Sequence, residues 1–233
     1  MMLPPSCPIS TYTSCYCEEN IYLLAQQFSG DPKIVEAWDI FVVFISNNTK
    51  TVALWNQKLA HEPSRPVVWD YHVLLVLRPH SFAIQAHPAP INIITSSKAP
   101  SYGQNTTWAY DFDTQLDLPC TLEEYLNKTF MDVDPRFQSL FRVIPGNVFL
   151  DNFASDRSHM LLAFDNSIGG PLQYSSPPPL YAPICGAVAA KRGITHNLMS
   201  SFVSMDQNEE SYGIVLDRQA LYWWIDDGST GKV

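Results

Sequence analysis

The pattern of apolar and polar residues has helical spacing near the start of the chain. Between Ile21 and Phe28, apolar side chains recur every third or fourth residue, which is the spacing of one helix face. Glutamates occupy the first turn of this segment, and Gly30, followed by an Asp-Pro pair, is a helix-ending signal. We therefore predict an amphipathic helix over residues 18–28, with its apolar face against the rest of the protein.

Further along the chain, runs rich in β-branched and aromatic residues predict strands. Residues 40–46 and 51–57 flank an Asn-Asn-Thr-Lys turn, and we expect them to pair as a hairpin. Residues 65–77 are apolar over so many positions that they predict a central strand, and residues 106–114 predict its antiparallel neighbour. A sheet is therefore expected to begin in the first half of the chain.

Two stretches interrupt this pattern of regular elements. Residues 78–105 are rich in Pro, Ser and His and are long for a connection inside a compact domain, so we interpret them as an inserted loop. Residues 171–183 are proline-rich and predict an internal linker with neither helix nor strand.

The second half of the chain adds helices to the expected sheet. Thr121 and Glu124 form a capping-box pattern that predicts the start of a helix. Residues 196–205 predict a short helix, and residues 213–225 predict a strand that runs into a final helix. Strands flanked by helices favour an α+β fold with a mainly antiparallel sheet. The length and the hydrophobic content of 46% favour a single catalytic domain over residues 1–233.

Charge and cysteine content restrict the partners and the compartment. The formal net charge is −9 and the sequence contains no Lys/Arg-rich stripe, so we expect no nucleic-acid partner. The first residues lack the segments of a signal peptide, and the apolar runs are too short to span a membrane. Five cysteines, an odd number, favour free thiols over a disulfide framework. We therefore expect a cytoplasmic protein without membrane contact.

The two cysteines of TSCYCEEN are the first candidates for chemistry. Cys17 directly precedes the predicted helix, where unpaired backbone N–H groups and the helix dipole favour a thiolate with a lowered pKa. Cys15 lies outside that helix start. Cys17 also extends the apolar face of the helix, which aims its sulfur at the sheet. A buried cysteine is more often a small core residue than a nucleophile, so a catalytic interpretation requires a partner base.

A histidine and an aspartate on the two neighbouring strands provide that partner. Alternation of side chains places His72 in the middle of its strand and Asp111 on one face of the next. A contact from Asp111 to one imidazole nitrogen would leave the other nitrogen for the thiol of Cys17. A cysteine at a helix start, with histidine and acid on adjacent strands, is typical of papain-like and transglutaminase-like folds.

The signatures of other common enzyme classes are absent from the sequence. It has no Gly-rich loop followed by Lys and Ser or Thr, no G-x-G-x-x-G, no H-E-x-x-H and no C-x-x-C pair. A Cys-x-Cys pair with scattered histidines is a weak zinc pattern, because structural zinc ligands are usually spaced about two to four residues apart. We therefore expect no metal and no cofactor.

Four separated stretches, YTSCYCEEN, WDYHV, YDFDT and FASDRSHM, together resemble the protein N-terminal glutamine amidohydrolase family. The resemblance implies a three-layer α-β-α sandwich with a papain-like or transglutaminase-like core and a catalytic triad of Cys17, His72 and Asp111. It also implies deamidation of the N-terminal glutamine of proteins or peptides to glutamate, with release of ammonia through a thioester intermediate. Such an enzyme would be a cofactor-free monomer of the N-degron pathway in the cytosol, with the nucleus as a second compartment.

Several alternatives stay open at the level of sequence. The same triad serves cysteine proteases and transglutaminases, and a non-catalytic module that binds peptide N-termini is the alternative from another class. We interpret Asp156, Arg157 and His159 of FASDRSHM as a buried, ion-paired turn rather than as direct substrate contacts. The residues that bind the substrate are unknown, but a free α-ammonium requires an acceptor, for which Glu18, Asp70 and Asp156 are the candidates.

Overall fold

Helices and strands alternate irregularly along the part of the chain that is described. The computed structural model describes residues 3–8, 12–62, 64–80, 106–162 and 173–226. Its α-helices are α1 (Cys17–Ser29), α2 (Pro32–Ala37), α3 (Leu122–Thr129), α4 (Gly146–Asn152), α5 (Ala187–Lys191) and α6 (Arg218–Asp226). Its strands are β1 (Trp38–Ser46), β2 (Val52–Leu54), β3 (Val67–Trp69), β4 (His72–Pro79), β5 (Trp108–Tyr110), β6 (Cys120–Thr121), β7 (Leu140–Pro145) and β8 (Ile214–Leu216). Two 3-10 helices, Pro135–Phe137 and Ser158–Met160, and a π-helix, Leu198–Val203, complete the described elements.

Most strands join one sheet with the order β6-β5-β4-β1-β7-β8, and β2 pairs with β3 in a separate sheet. Every pairing between the described strands is antiparallel. The longest strands, β1 and β4, lie side by side in the centre, in a register that places Ile45 opposite His72. The predicted combination of helices with a mainly antiparallel sheet is confirmed.

Helices cover both faces of the main sheet. In β4, which is buried along its whole length, Val73, Leu75 and Leu77 pack with apolar residues of α1 and α4. Leu74 and Val76 point to the other face and pack with residues of α3 and α6. The sheet is therefore the middle of three layers, and its alternating side chains contribute to both cores.

Several elements predicted from spacing are confirmed. The helix predicted over residues 18–28 is α1, and the apolar face that begins at Cys17 is buried. Thr121 caps α3, where its hydroxyl oxygen accepts the backbone N–H of Glu124 at 3.1 Å. The strand and helix predicted at the end of the chain are β8 and α6, and the short helix predicted over residues 196–205 is the π-helix. Within the described ranges, no helix is long and apolar enough to cross a membrane.

The predicted hairpin of residues 40–46 and 51–57 is wrong. β1 has β4 on one side and β7 on the other, so no free edge is left for β2. Asn47 turns the chain directly after β1, because its amide donates to the carbonyl of Thr51 at 2.7 Å and its oxygen accepts the N–H of Thr49 at 3.1 Å. β2 therefore leaves the main sheet and pairs with β3.

The single strand predicted over residues 65–77 is also wrong. The chain breaks at Asp70 and Tyr71, so that β3 pairs with β2 and β4 enters the main sheet. His72 is therefore the first residue of β4 and not a mid-strand residue. The central position of β4 and its antiparallel pairing with β5 are as predicted.

Only part of the connection after β4 is described. The first two residues of the loop predicted at 78–105 belong to β4, where they pair with β1, and residues 81–105 lie outside the described residues. The next strand, predicted over 106–114, is shorter, because β5 ends at Tyr110. Asp111 therefore follows β5 instead of lying within it.

The predicted proline-rich linker packs against the start of α1. Residues 173–183, its described part, form neither helix nor strand apart from an isolated bridge. The carbonyl of Ser176 accepts a hydrogen bond from the Tyr16 hydroxyl at 3.1 Å, and the carbonyl of Pro179 accepts one from the Arg157 guanidinium at 3.1 Å. The segment therefore contacts the structure around α1 directly.

A fully buried arginine holds the connection between the π-helix and β8. Arg142 of β7 is 0% exposed and donates hydrogen bonds of 2.6–2.9 Å to the carbonyls of Ser204, Asp206 and Tyr212. A buried backbone carbonyl that loses its hydrogen-bond donor destabilises the folded protein. The guanidinium therefore fixes a segment that has no helix or strand of its own.

We expect Arg142→Lys to lower the free energy of unfolding by about 1–3 kcal/mol, because an ammonium cannot reproduce the planar fork of donors. Urea unfolding followed by circular dichroism measures the change. Arg136→Lys, which alters an exposed side chain paired with Asp134, is the matched control and should change stability little. Equal stability of wild type and Arg142→Lys would contradict this role for Arg142.

Candidate active site

The loop before α1 sets the position of Cys17, the first residue of the helix. The side-chain amide of Asn20 bonds both backbone groups of Thr13, at 2.9 and 2.8 Å, and the N–H of Tyr16 donates to the Thr13 carbonyl at 3.3 Å. Tyr16 is the N-cap residue but makes no side-chain capping bond. The first N–H groups of α1, beside Cys17, are therefore not capped by that side chain.

A buried ion pair anchors the same helix turn. Arg157 donates to both carboxylate oxygens of Glu19 at 2.8 Å, and the two side chains are only 6% and 0% exposed. The guanidinium also lies 5.2 Å from the centre of the Tyr181 ring. The predicted buried, ion-paired turn is confirmed for Arg157. Its guanidinium stabilises this helix turn and does not line the cavity described below.

His72 and Asp111 form a buried pair, as predicted. His72 Nε2 lies 2.8 Å from Asp111 Oδ1, and the side chains are 0% and 1% exposed. The other carboxylate oxygen accepts the Tyr125 hydroxyl at 2.8 Å and the Gln57 amide at 3.4 Å. Asp111 Oδ1 also accepts the backbone N–H of Asp113 at 2.8 Å, which turns the chain after β5.

The second imidazole nitrogen of His72 has no hydrogen-bond partner in the described part of the chain. Nδ1 is buried and forms no hydrogen bond within the described residues. The ring of Trp69 stacks on the imidazole with centroids 5.6 Å apart. The imidazole is therefore fixed by Asp111 on one side and by Trp69 on its face, with one nitrogen available.

The positive charge of His72 and the negative charge of Asp111 stabilise each other and shift both pKa values. Burial opposes protonation of His72, but the Asp111 carboxylate outweighs it, so the pKa of His72 is raised from 6.5. Burial likewise disfavours the Asp111 carboxylate, but His72 and the hydrogen bonds hold its pKa below 3.8. His72 therefore adds stability below its usual pKa that is lost as pH rises through the raised value. Asp111 adds stability above its usual pKa that is lost as pH falls through the lowered value.

Cys17 lies in a cavity at the amino end of β4. The cavity has a volume of about 140 Å³ and is lined by Cys15, Cys17, Trp69, Asp70, Tyr71, Asp113 and Met160. The cavity adjoins the His72–Asp111 pair in two ways. Its lining residue Trp69 stacks on His72, and side-chain nitrogen or oxygen atoms of His72, Asp111 and the lining residue Asp113 lie within 4.8 Å of one another. A larger surface groove of about 820 Å³, next to α6, contains none of the predicted site residues.

The expected lowering of the Cys17 pKa is wrong for the free protein. Cys17 is 8% exposed, and burial together with the nearby carboxylates Glu18, Asp113, Asp70 and Asp111 raises the pKa of its thiol well above 9.0. Its sulfur lies 3.7 Å from Glu18 Oε2. The helix start is where the sequence predicts it, but desolvation and negative charge outweigh the stabilisation that the helix start gives to a thiolate.

The three carboxylates predicted to accept an α-ammonium have different surroundings. Glu18 is fully buried, accepts the Tyr71 hydroxyl at 3.0 Å, lies 3.5 Å from His159 and is not part of the cavity lining. Asp70 lines the cavity but is exposed. Asp156 accepts the N–H of Ser158 and lies 3.1 Å from His196, away from the cavity lining.

Sequence reasoning missed three residues of this site: Asp113, Tyr125 and Trp69. Asp113 repeats Asp111 two positions later in YDFD, so it lies on the same side of the chain, but its burial at 3% exposure has no local signal. Tyr125 comes from α3 and Trp69 from β3. Only the tertiary packing brings these two aromatic residues to the His72–Asp111 pair.

One group of side chains has donor atoms close enough together to hold a metal ion among the described residues. It consists of His72, Asp111 and Asp113, all buried. The His72 nitrogen nearest Asp111 already shares a 2.8 Å hydrogen bond with it, so a metal ligated by both would replace that bond. In this arrangement Asp111 orients the imidazole of His72 through that bond.

A buried cysteine at a helix start, beside a histidine held by a carboxylate, has the components of a thiol-dependent hydrolase or transferase. Comparison with known proteins identifies the family. The sequence model of the N-terminal glutamine amidase family matches residues 12–224. The chain therefore belongs to this family.

Three relatives illustrate how far the similarity extends. Human "Protein N-terminal glutamine amidohydrolase" is 35% identical over 199 residues, which cover 84% of this chain and 78% of the human protein. The proteins of the same name from Danio rerio and Arabidopsis thaliana are 34% and 35% identical over 183 and 199 residues. These alignments cover 77% and 83% of this chain and 75% of each relative.

We expect Asp111→Asn to move the pKa of His72 from above to below about 6.5. With the carboxylate charge removed, burial, which opposes protonation, becomes the main effect on the imidazole. NMR titration of the His72 ring, assigned by comparison with His72→Gln, measures the midpoint. Asp117→Asn removes an exposed charge nearby and should leave the midpoint unchanged; an equal midpoint in Asp111→Asn and wild type would contradict the pairing.

Proposed function

We propose that this protein is an amidohydrolase that converts the N-terminal glutamine of proteins or peptides to glutamate and releases ammonia. The observation that carries the proposal is the cavity of Cys17 at the start of α1, beside the buried His72–Asp111 pair. Membership of the N-terminal glutamine amidase family supports the reaction, and the relatives named above carry the corresponding name. No metal or cofactor takes part in the proposed chemistry.

In the first half of the proposed reaction, Cys17 attacks the side-chain carboxamide of the substrate. Because burial and carboxylates raise the pKa of the thiol, the resting cysteine keeps its proton at neutral pH. His72, oriented by Asp111, accepts that proton through Nδ1 as the carbon–sulfur bond forms. The uncapped backbone N–H groups at the start of α1 are donors for the oxyanion.

In the second half, His72 returns the proton to the leaving amine, and ammonia departs as the thioester forms. A water molecule then loses a proton to His72 and attacks the thioester carbonyl. Cleavage of the carbon–sulfur bond releases the glutamate side chain, and His72 returns its proton to the sulfur, which restores the thiol of Cys17. Asp111 keeps the imidazole in one orientation through both halves, which is the function of the acid in a triad.

Several further features belong to the same proposal. The cysteine at the start of a helix and the histidine at the start of a central antiparallel strand favour a papain-like or transglutaminase-like core. All five cysteines are free thiols, which agrees with a cytosolic protein, with the nucleus as a second compartment. We propose a monomer of the N-degron pathway whose partners are its substrates.

The dimensions of the cavity support this proposal. A volume of about 140 Å³ is well below the roughly 300–1,000 Å³ of pockets for drug-sized ligands. It therefore fits one side chain better than an extended peptide backbone. Protease, transglutaminase and binding-module activities are distinguished by their products, which are a broken peptide bond, an incorporated amine, or no chemical change.

We expect Cys17→Ala to abolish deamidation and Cys15→Ala to retain most of it. Both sulfurs border the cavity, but only Cys17 begins α1 and lies on its buried face. Ammonia release from a Gln-first peptide, together with the mass of the product, measures turnover. Circular dichroism checks that each variant is folded. Loss of activity in Cys15→Ala with retention in Cys17→Ala would reverse the assignment.

We also expect turnover of a Gln-first peptide to exceed that of an Asn-first or acetyl-Gln-first peptide of the same sequence. The asparagine carboxamide is one methylene shorter, and a misplacement of about 1 Å costs on the order of a hundredfold in rate. Competition between the three peptides in one assay, with products resolved by mass, gives the ratio. Equal turnover of the acetylated peptide would indicate a general protein glutaminase.

A further inference from the structure

The cavity beside Cys17 has the chemical character of a site for a cation. Two of its lining residues are aspartates, and no Lys, Arg or His is among the described residues that line it. The negative charges of Glu18 and Asp111 also act on the Cys17 thiol and raise its pKa. A cationic group in the cavity would therefore face negative charge on several sides, whereas the same carboxylates would repel an anionic group.

Asp113 is the buried carboxylate of this cavity. It is 3% exposed and lines the cavity. Its Oδ1 accepts a hydrogen bond from the hydroxyl of Tyr12, and Asp113 forms no ion pair with a Lys, Arg or His side chain of the described residues. Burial raises the pKa of Asp113. A buried carboxylate without a positively charged partner is costly, and a cationic ligand would offset that cost.

The other carboxylates nearby are less suitable for this contact. Glu18 is not part of the lining. Its Oε2 accepts the Tyr71 hydroxyl at 3.0 Å, and its Oε1 lies 3.5 Å from His159 without a hydrogen bond among the described residues. Asp70 lines the cavity, but its exposure to solvent weakens any charge interaction. Asp156, which the sequence also suggested, lies outside the lining and faces His196.

We propose that Asp113 binds the α-ammonium of the substrate, and that this contact restricts the reaction to glutamine at the first position. The inference rests on the proposed function and specifies how the enzyme recognises the N-terminal amino group of its substrate. In glutamine, three carbons separate the α-ammonium from the carboxamide carbon, so both groups fit one small cavity shared by Asp113 and Cys17. An acetylated or internal glutamine lacks the positive charge and would leave Asp113 without a cationic partner.

The same contact links recognition to reactivity. Asp113 is one of the carboxylates that raise the pKa of the Cys17 thiol. An ammonium bound to Asp113 offsets that charge, so ionisation of the thiol becomes easier when the correct substrate is present. The free enzyme keeps a protonated thiol, and the substrate itself brings the charge that favours attack.

The test measures binding separately from chemistry. In a Cys17→Ala background, the dissociation constants of Gln-first and acetyl-Gln-first peptides are measured by calorimetry, with and without Asp113→Asn. We expect Cys17→Ala to bind the free-amine peptide more tightly than the acetylated peptide. Adding Asp113→Asn should weaken binding of the free-amine peptide about 10- to 100-fold and change the affinity for the acetylated peptide little. Asp117→Asn, an exposed site, is the matched control and should preserve the preference.

A pH series distinguishes a charge contact from a merely structural effect. The α-amino group of a peptide loses its proton near pH 8, so binding to Cys17→Ala should weaken across that range. The inflection should disappear in the Asp113→Asn double variant. If that variant does not fold, a carbon-detected NMR titration of Cys17→Ala serves instead, and the Gln-first peptide should lower the pKa of Asp113 while the acetylated one should not.

Two results would overturn the proposal in distinguishable ways. If Asp113→Asn keeps the preference for the free amine, or the NMR titration shows no change at Asp113, the α-ammonium is bound elsewhere and the proposed function stands. If wild type releases no ammonia from the Gln-first peptide and Cys17→Ala binds neither peptide, the proposed function fails and this site fails with it.

Discussion

The buried ion pair between Glu19 and Arg157 is the interaction on which the geometry of the site depends. Both side chains are nearly inaccessible to water, and removal of one partner from such a pair typically costs about 3–5 kcal/mol. Glu19 belongs to the first turn of α1, and Arg157 also binds the carbonyl of Pro179. The pair therefore connects the helix that begins at Cys17 to two distant segments and anchors the helix turn that carries the thiol.

The meeting of helix and sheet at this site depends on where the strands end. Alternation along β4 places His72 on the face of Leu74, which packs with α3, whereas α1 covers the opposite face. A histidine in the middle of the strand would be separated from Cys17 by the sheet itself. Because β4 begins at His72 and β5 ends before Asp111, both residues lie at the border of the sheet. There they adjoin the cavity of Cys17.

Charge compensation differs among the carboxylates around the thiol. Asp111 has His72 and Glu19 has Arg157, and each pair is close and buried. Asp113 lines the cavity without an ion pair among the described residues. In a medium of low dielectric constant such an imbalance is costly to the protein alone and favourable to a cationic ligand. Burial, together with the carboxylates Glu18 and Asp113, raises the pKa of the Cys17 thiol although the thiol lies at a helix start.

The sequence by itself determined the features that depend on neighbouring residues. The position of Cys17 at the start of α1 follows from apolar spacing and an ending signal, and the pairing of His72 with Asp111 follows from two adjacent strands and the family motifs. The sequence could not determine which strands pair with each other, the break before His72, or the burial of Asp113, because these depend on contacts between distant segments. Only the tertiary structure decided the pKa of the thiol, since desolvation and surrounding charge are properties of the packed site.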